Sequence, residues 1–111
     1  MLTNAEALNL WHRVYVEIVR QGDFDVSARQ LALMLTVYLT PPPHTVRGLA
    51  SELEIAKPVI TRALDSLGQR GLLKRTRDES DRRSIFVERT AAGSAFLSSM
   101  SDLIVEANKP D

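Results

Sequence analysis

Only Glu54, Ile55 and Ala56 separate two helical patterns in the middle of this sequence. The first runs from Thr45, a residue suited to capping, to Leu53, with Val46, Leu49, Ala50 and Leu53 on its inward side. The second is marked by Pro58, which is favoured at the first helical position because its missing N–H is not needed there, and this puts Lys57 at the cap. Ile60, Leu64 and Leu67 form its buried stripe, and Gly71 is placed to end it in a left-handed conformation. Helices joined this tightly must cross steeply, and Lys57, Pro58, Thr61, Arg62 and Asp65 are left facing outward.

The flanking segments complete the pattern. Upstream, Leu8, Trp11, Tyr15 and Ile18 recur at spacings of three and four, and Leu10, Val14 and Val19 widen that face beyond what one neighbour requires. A core or a subunit interface is the expected destination of such residues. Gln21-Gly22-Asp23 ends this helix, Ser27 with Gln30 reads as a capping box, and the apolar run Leu31 to Leu39 predicts a buried second helix that Pro41-Pro42-Pro43 stops. Downstream, Leu72 to Arg77 and Ser84 to Arg89 are extended runs around the polar tip from Asp78 to Arg83, which predicts a hairpin. Thr90 is placed to cap a fifth helix carrying Ala92, Phe96, Met100, Leu103 and Ala107 on one face, with Pro110 ending it.

The expected fold is mainly α with a small β-hairpin, a winged helix-turn-helix in a single domain over residues 1–111. The helix-turn-helix spans about 45–70, the wing about 72–89 and the flanking helices about 4–20 and 91–107. The major groove of a duplex admits one helix, and a flanking hairpin can reach the adjacent minor groove.

Charge supports that geometry only locally. The chain carries equal numbers of acidic and basic side chains, yet from Thr45 to Arg89 ten basic residues face seven acidic ones, and the excess reverses elsewhere. A positive middle on a neutral body suits a phosphate-facing surface, although solvated charge alone also accounts for the count. The absence of cysteine excludes disulfides, thiolate metal sites and thiol switches. His12 and His44 stand apart from carboxylates at ligand spacing, so no metal is expected and the histidines read as solvated or packing residues. No nucleophile-base grouping, phosphate loop or carboxylate pair appears, and neither an enzyme nor a cofactor is expected. The longest apolar stretch is far short of the roughly 20 residues that span a bilayer, and the N-terminus does not read as a signal peptide. The aromatic residues are too scattered for a base-stacking platform.

Five segments in order carry a resemblance: Val46-Arg47-Gly48-Leu49-Ala50, Lys57 to Asp65, Gly71-Leu72-Leu73, Asp81-Arg82-Arg83 and Thr90-Ala91-Ala92-Gly93. Together, over roughly Ser27 to Leu97, they resemble the MarR family of bacterial transcriptional regulators. The resemblance implies a dimeric repressor or activator of a palindromic operator, often released by a small-molecule effector. The fourth helix would be the recognition helix and the Asp-Arg-Arg hairpin the wing. With no cysteine in the sequence a reducing cytoplasm is the natural setting, and a cytoplasmic, nucleoid-associated protein is expected. Family members usually continue through a longer fifth helix into a sixth that dimerises with the first, whereas this sequence stops at Asp111.

Each candidate contact has a plainer reading beside it. Arg62 can reach a guanine edge or a phosphate, or instead pair with Asp65 three positions on. Thr61 and Val59 can offer methyl groups to thymine, or be helix surface and edge of core. Lys57 at a cap position has no acceptor for the free N–H groups, which a phosphate or water would satisfy. Arg82 and Arg83 suit a narrow minor groove, yet one of them can pair with Asp78 or Asp81, and the sequence does not distinguish the two. Thr45 and Arg47, at the start of the third helix, complete the expected DNA-facing set of Thr45, Arg47, Lys57, Pro58, Val59, Thr61, Arg62, Arg82 and Arg83. Double-stranded DNA is the expected partner and a homodimer the expected assembly, through the first and fifth helices. A protein-interaction module on the same scaffold, or an architectural DNA-binding protein without an effector, are the competing functions.

Overall fold

Helices α1 (Asn4–Gln21), α2 (Ala28–Leu39), α3 (Val46–Leu53) and α5 (Ala91–Ala107) each start on a hydroxyl that satisfies an N–H the helix leaves open. Thr3 accepts from Glu6 N–H and Ser27 from Gln30 N–H, each with the reciprocal bond that completes a capping box. Thr45 accepts from Gly48 N–H at 2.9 Å and Thr90 from Gly93 N–H at 2.9 Å. Helix α4 (Lys57–Gln69) has no side-chain cap. Between α4 and α5 lie strands β1 (Leu73–Arg77) and β2 (Ile85–Arg89). The structure, a computed structural model, describes residues 1–109, and Pro110 lies outside the described residues.

The chain forms two compact units. One comprises Val26–Ala95, and the other combines Met1–Asp25 with the chain from Phe96 onward, so the boundary falls within α5. In the first unit, α2 contributes Leu33, Met34 and Val37 to a core shared with Val46 and Leu49 of α3 and Ile60, Leu64 and Leu67 of α4, each at most 4% exposed. Leu72, Leu73 and Val87 close it from the hairpin side. The stripe expected of α4 is therefore its buried face. Ala50 and Leu53 of α3 are only half-buried, because this eight-residue helix turns Val46 and Leu49 squarely inward and leaves those two on its flank.

The link between α3 and α4 is held by backbone geometry. Glu54 adopts the left-handed region at φ 54°, and Ile55 N–H donates to the Ala50 carbonyl at 3.0 Å. A residue with a Cβ pays about 1–2 kcal/mol there, which the packing of two helices across the turn must offset. The cap of α4 is Ala56 rather than the expected Lys57, since the Ala56 carbonyl accepts from both Val59 N–H at 2.9 Å and Ile60 N–H at 3.2 Å. Lys57 is thus the first helical residue and Pro58 the second, where its missing N–H is equally harmless. At the other end Gly71 has φ 71°, its N–H donating to Gly68 and that of Leu72 to Leu67. This pair of bonds is a Schellman closure.

Strands β1 and β2 pair antiparallel from Leu73 with Arg89 to Arg77 with Ile85, each strand beginning one residue later than the sequence runs suggested. The segment before α3 adds a partial third strand: Thr45 bridges Phe86, and Val87 N–H donates to the His44 carbonyl at 2.8 Å. The hairpin base is pinned to α2. Tyr38 Oη donates to the Leu72 carbonyl at 2.8 Å and accepts from Thr90 N–H at 3.0 Å, and Arg89 donates to the carbonyls of Val37 and Thr40. Gly93 lies against this hub. Where the sequence pattern put Ala92 on the inner face of α5, Ala92 is exposed and Gly93 is buried, because the hub leaves no room there for a side chain.

In the second unit, Val14 of α1 is buried together with Phe24, Met100 and Leu103. Phe24 meets Phe96 edge-on with ring centroids 5.4 Å apart, and Arg13 donates to the Ala107 carbonyl at 2.7 Å. On the rest of the wide apolar face of α1, Leu10 and Ile18 are half-buried, whereas Leu8 at 72%, Trp11 at 53%, Tyr15 at 48% and Val19 at 77% exposure stay open. Among the described residues no helix is long and apolar enough to cross a membrane.

A Cβ added to Gly93 would sit 1.8 Å from Tyr38 Oη and 2.3 Å from the Leu72 carbonyl oxygen. Gly93→Ala is expected to lower unfolding stability by about 1–3 kcal/mol, a cost typical of overpacking. Urea denaturation checks this, with an unchanged midpoint as the contrary result.

Candidate nucleic-acid interface

The first two turns of α4 present the expected outward group. Lys57, Pro58, Arg62 and Asp65 are exposed, Thr61 is half-buried, and together they line one open depression of about 470 Å³. Val59 is half-buried at the edge of the core. The helix start offers fewer free donors than the sequence suggested. Pro58 has none, Val59 N–H turns back to Ala56, and Lys57 N–H is left as the open one among the described residues.

The alternative partner of Arg62 is engaged by another arginine. Asp65 Oδ1 accepts from Arg75 Nη2 of β1 at 2.6 Å, and Arg62 has no partner among the described residues. On α3, Arg47 is exposed and likewise without a partner, whereas Thr45 is half-buried with its hydroxyl oxygen holding Gly48 N–H.

The wing tip is shaped by its acids. Asp78 Oδ1 accepts from Ser80 N–H at 2.9 Å and from Ser80 Oγ at 2.6 Å, while Asp81 accepts from Arg83 N–H at 3.1 Å and from Arg83 Nε at 3.4 Å. Three main-chain bonds among Asp78, Asp81 and Ser84 close the loop. Carboxylates that accept local N–H groups fix turns, so these acids order a loop whose cations remain exposed. Arg83 is the arginine that contacts an acid, and Arg82 has no partner among the described residues.

Other cations of the basic segment prove to be structural. Arg89 is held by carbonyls and lies over the Tyr38 ring at 6.0 Å, and Arg75 is tied to Asp65. Sequence reading missed both, since neither spacing nor residue type separates them from exposed arginines. Tyr38 left a fainter trace: a phenol inside an apolar helical run needs a partner for its hydroxyl. His44 is a packing residue, with Nε2 at 3.1 Å from the Thr40 carbonyl oxygen.

A family model for the MarR family matches residues 26–85, more than half of the chain and nearly all of the helix-turn-helix and wing. The chain belongs to the MarR family. Solved MarR structures have the same fold. The transcriptional regulator Tm0710 from Thermotoga maritima is 23% identical with a TM-score of 0.73, covering 90% of this chain and 68% of its own. The repressor CouR, bound to a 23-mer DNA duplex, is 26% identical with a TM-score of 0.74, covering 92% and 69%. The MepR–DNA complex of S. aureus is 20% identical with a TM-score of 0.73, covering 90% and 86%. No curated protein gives a significant sequence match. The winged helix-turn-helix is thus the fold of this MarR chain, and the hairpin β1–β2 is its wing.

The bonds from Ser80 hold the Asp78 carboxyl below its ordinary value near 3.8, the side-chain bond contributing most. A value lowered in the folded state gives a contribution present above the unfolded value and lost as pH falls through the folded one. Acidification below the ordinary value is therefore expected to weaken the bonds from Ser80 to the Asp78 carboxyl at the wing tip. The Ser80 amide resonance, followed by NMR through a pH titration, should report an inflection below 3.8; an inflection at or above that value would contradict the bonding described.

Proposed function

We propose that this MarR-family transcriptional regulator reads double-stranded DNA by laying the N-terminal half of α4 in the major groove while the wing tip enters the adjacent minor groove. The observation that carries this reading is Arg62, an exposed cation on the outward face of α4 with no internal partner, on a helix braced from behind by α3. Guanidinium groups recognise guanine edges and phosphates, and those near the start of a recognition helix face base edges. Thr61 and Val59 flank it with methyl groups, Lys57 and Arg47 face phosphate, and Arg82 enters the minor groove with Arg83 beside it. The DNA bound to CouR and to MepR supports the choice of partner. In this reading the protein works in the bacterial cytoplasm, on the nucleoid.

We also propose that it acts as a homodimer through its first and fifth helices. The open apolar stripe Leu8, Trp11, Tyr15 and Val19, with Val105 at 61% exposure on α5, is the support, since large exposed apolar patches mark association surfaces. A two-fold dimer requires inverted half-sites about one helical turn, roughly 10 base pairs, apart. Sedimentation at micromolar concentration is expected to give a dimer, and a monomer both on and off DNA would remove this part.

The groove assignment is tested on a site selected from random duplexes, compared with scrambled duplexes across a salt series. Arg62→Ala should weaken the selected site by about 1–3 kcal/mol and change scrambled binding less, so that discrimination relaxes at one base position. Arg82→Ala with Arg83→Ala should lower affinity for many sequences and flatten the salt dependence, and Lys57→Ala should do so more mildly. If the folded Arg62→Ala and double wing variants both bind like the parent, groove reading fails and a protein-docking role takes its place.

A further inference from the structure

We propose that Arg75 is a positioning residue for Arg62: by occupying the Asp65 carboxylate, it keeps that carboxylate from capturing the guanidinium that reads DNA. The inference rests on the groove reading above and adds a control device to it.

Three charged side chains carry the argument. Arg62 and Asp65 are three positions apart on α4 and line the same depression, and side chains at this spacing are neighbours on a helix surface. Without a competitor, Arg62 would have an acceptor within reach on its own helix. Arg75 supplies the competitor from β1. Its Nη2 donates to Asp65 Oδ1 at 2.6 Å, a short charge-assisted bond, and Arg62 is left without a partner among the described residues. The ordering of the helix pair favours this outcome. A cation placed N-terminal to an acid is the weaker arrangement on a helix, so Arg62 does not outcompete an arginine approaching from another element. The Arg75 side chain is 34% exposed and that of Asp65 53%, so both groups are held at the surface that Arg62 shares. The bridge also removes an uncompensated negative charge from a face meant for phosphates.

This arrangement has a signature that a simple brace lacks. If Arg75 only stiffened the wing against α4, removing either partner would be equally harmful and removing both would be no better. If Arg75 restrains Asp65, then Asp65 is harmful only when Arg75 is gone, and deleting it repairs the damage.

The experiment measures affinity and single-base discrimination on the selected duplex for Arg75→Gln, Asp65→Asn, the two combined, and Arg62→Ala as reference, with circular dichroism on each. Glutamine keeps much of the arginine stem, and so its packing. Arg75→Gln is expected to lose about fivefold or more in affinity, within the scale of one base contact, and to relax the same base position as Arg62→Ala. Asp65→Asn is expected to bind within about twofold of the parent, and the combined variant to recover most of the loss. Because the combined variant also restores the parent's net charge, Arg75→Gln with Glu52→Gln serves as the control, Glu52 being exposed on α3. It should not recover discrimination. A combined variant no better than Arg75→Gln, recovery by the Glu52 control, or parent-like binding by Arg75→Gln would each overturn the inference while leaving the groove reading intact. Parent-like binding by Arg62→Ala would instead remove Arg62 as a reader of DNA, and the inference with it, and parent-like binding by the double wing variant as well would remove the groove reading.

Discussion

The phenol oxygen of Tyr38 lies between two stretches of main chain, donating to the Leu72 carbonyl that leads into the hairpin and accepting from the Thr90 N–H that leaves it. One side chain of α2 thereby holds both ends of the wing, and the bonds from Arg89 to Val37 and Thr40 fix the second strand to the same helix. A two-stranded hairpin alone is marginal in water. Its stability here comes from apolar side chains along the hairpin, with Leu72 and Leu73 buried at the root, Val87 buried at mid-strand and Phe86 and Ile85 half-buried further out. The tip can then be polar throughout without costing the wing its direction.

The same economy governs charge. In the basic segment, acids and arginines are divided between holding the fold and facing solvent, and the division follows geometry rather than residue type. Asp78 and Asp81 turn onto the loop that carries them, Asp65 faces β1, and Arg89 collects carbonyls at the end of α2, with no carboxylate partner among the described residues. Arg47, Lys57, Arg62 and Arg82 remain exposed, without partners among the described residues. A chain with no net charge thus keeps a surface suited to a polyanion.

Much of this was legible in the sequence because the signals were local. The Ser27–Gln30 capping box, the Thr45 and Thr90 caps, the left-handed Gly71 and the stripe of Ile60, Leu64 and Leu67 each depend on residues within a few positions of one another. What escaped depends on long separations. Tyr38 meets Leu72 and Thr90, Arg75 meets Asp65, and the backbone of His44 pairs with that of Val87, contacts that no periodicity announces. Gly93 was read as part of a family signature, and its physical reason appears only once Tyr38 stands against it. The one-residue shift at the start of α4 has a different origin: proline is tolerated throughout the first helical turn, so it marks the beginning of a helix without fixing its first residue.

The two ends of α4 are finished differently, and the difference sets where that helix can yield. Its C-terminal carbonyls are closed by Gly71 and Leu72, and Leu67 is fully buried beside them. The other end lacks a side-chain cap, and Lys57 and Pro58 stand in solvent. Local opening is therefore expected first at the turn that carries Lys57 and Pro58, ahead of the buried Ile60, while the opposite end acts as a fixed pivot. Such a helix adjusts to an uneven surface by reshaping its leading turn, so local accommodation at that end leaves the packed body behind it in register.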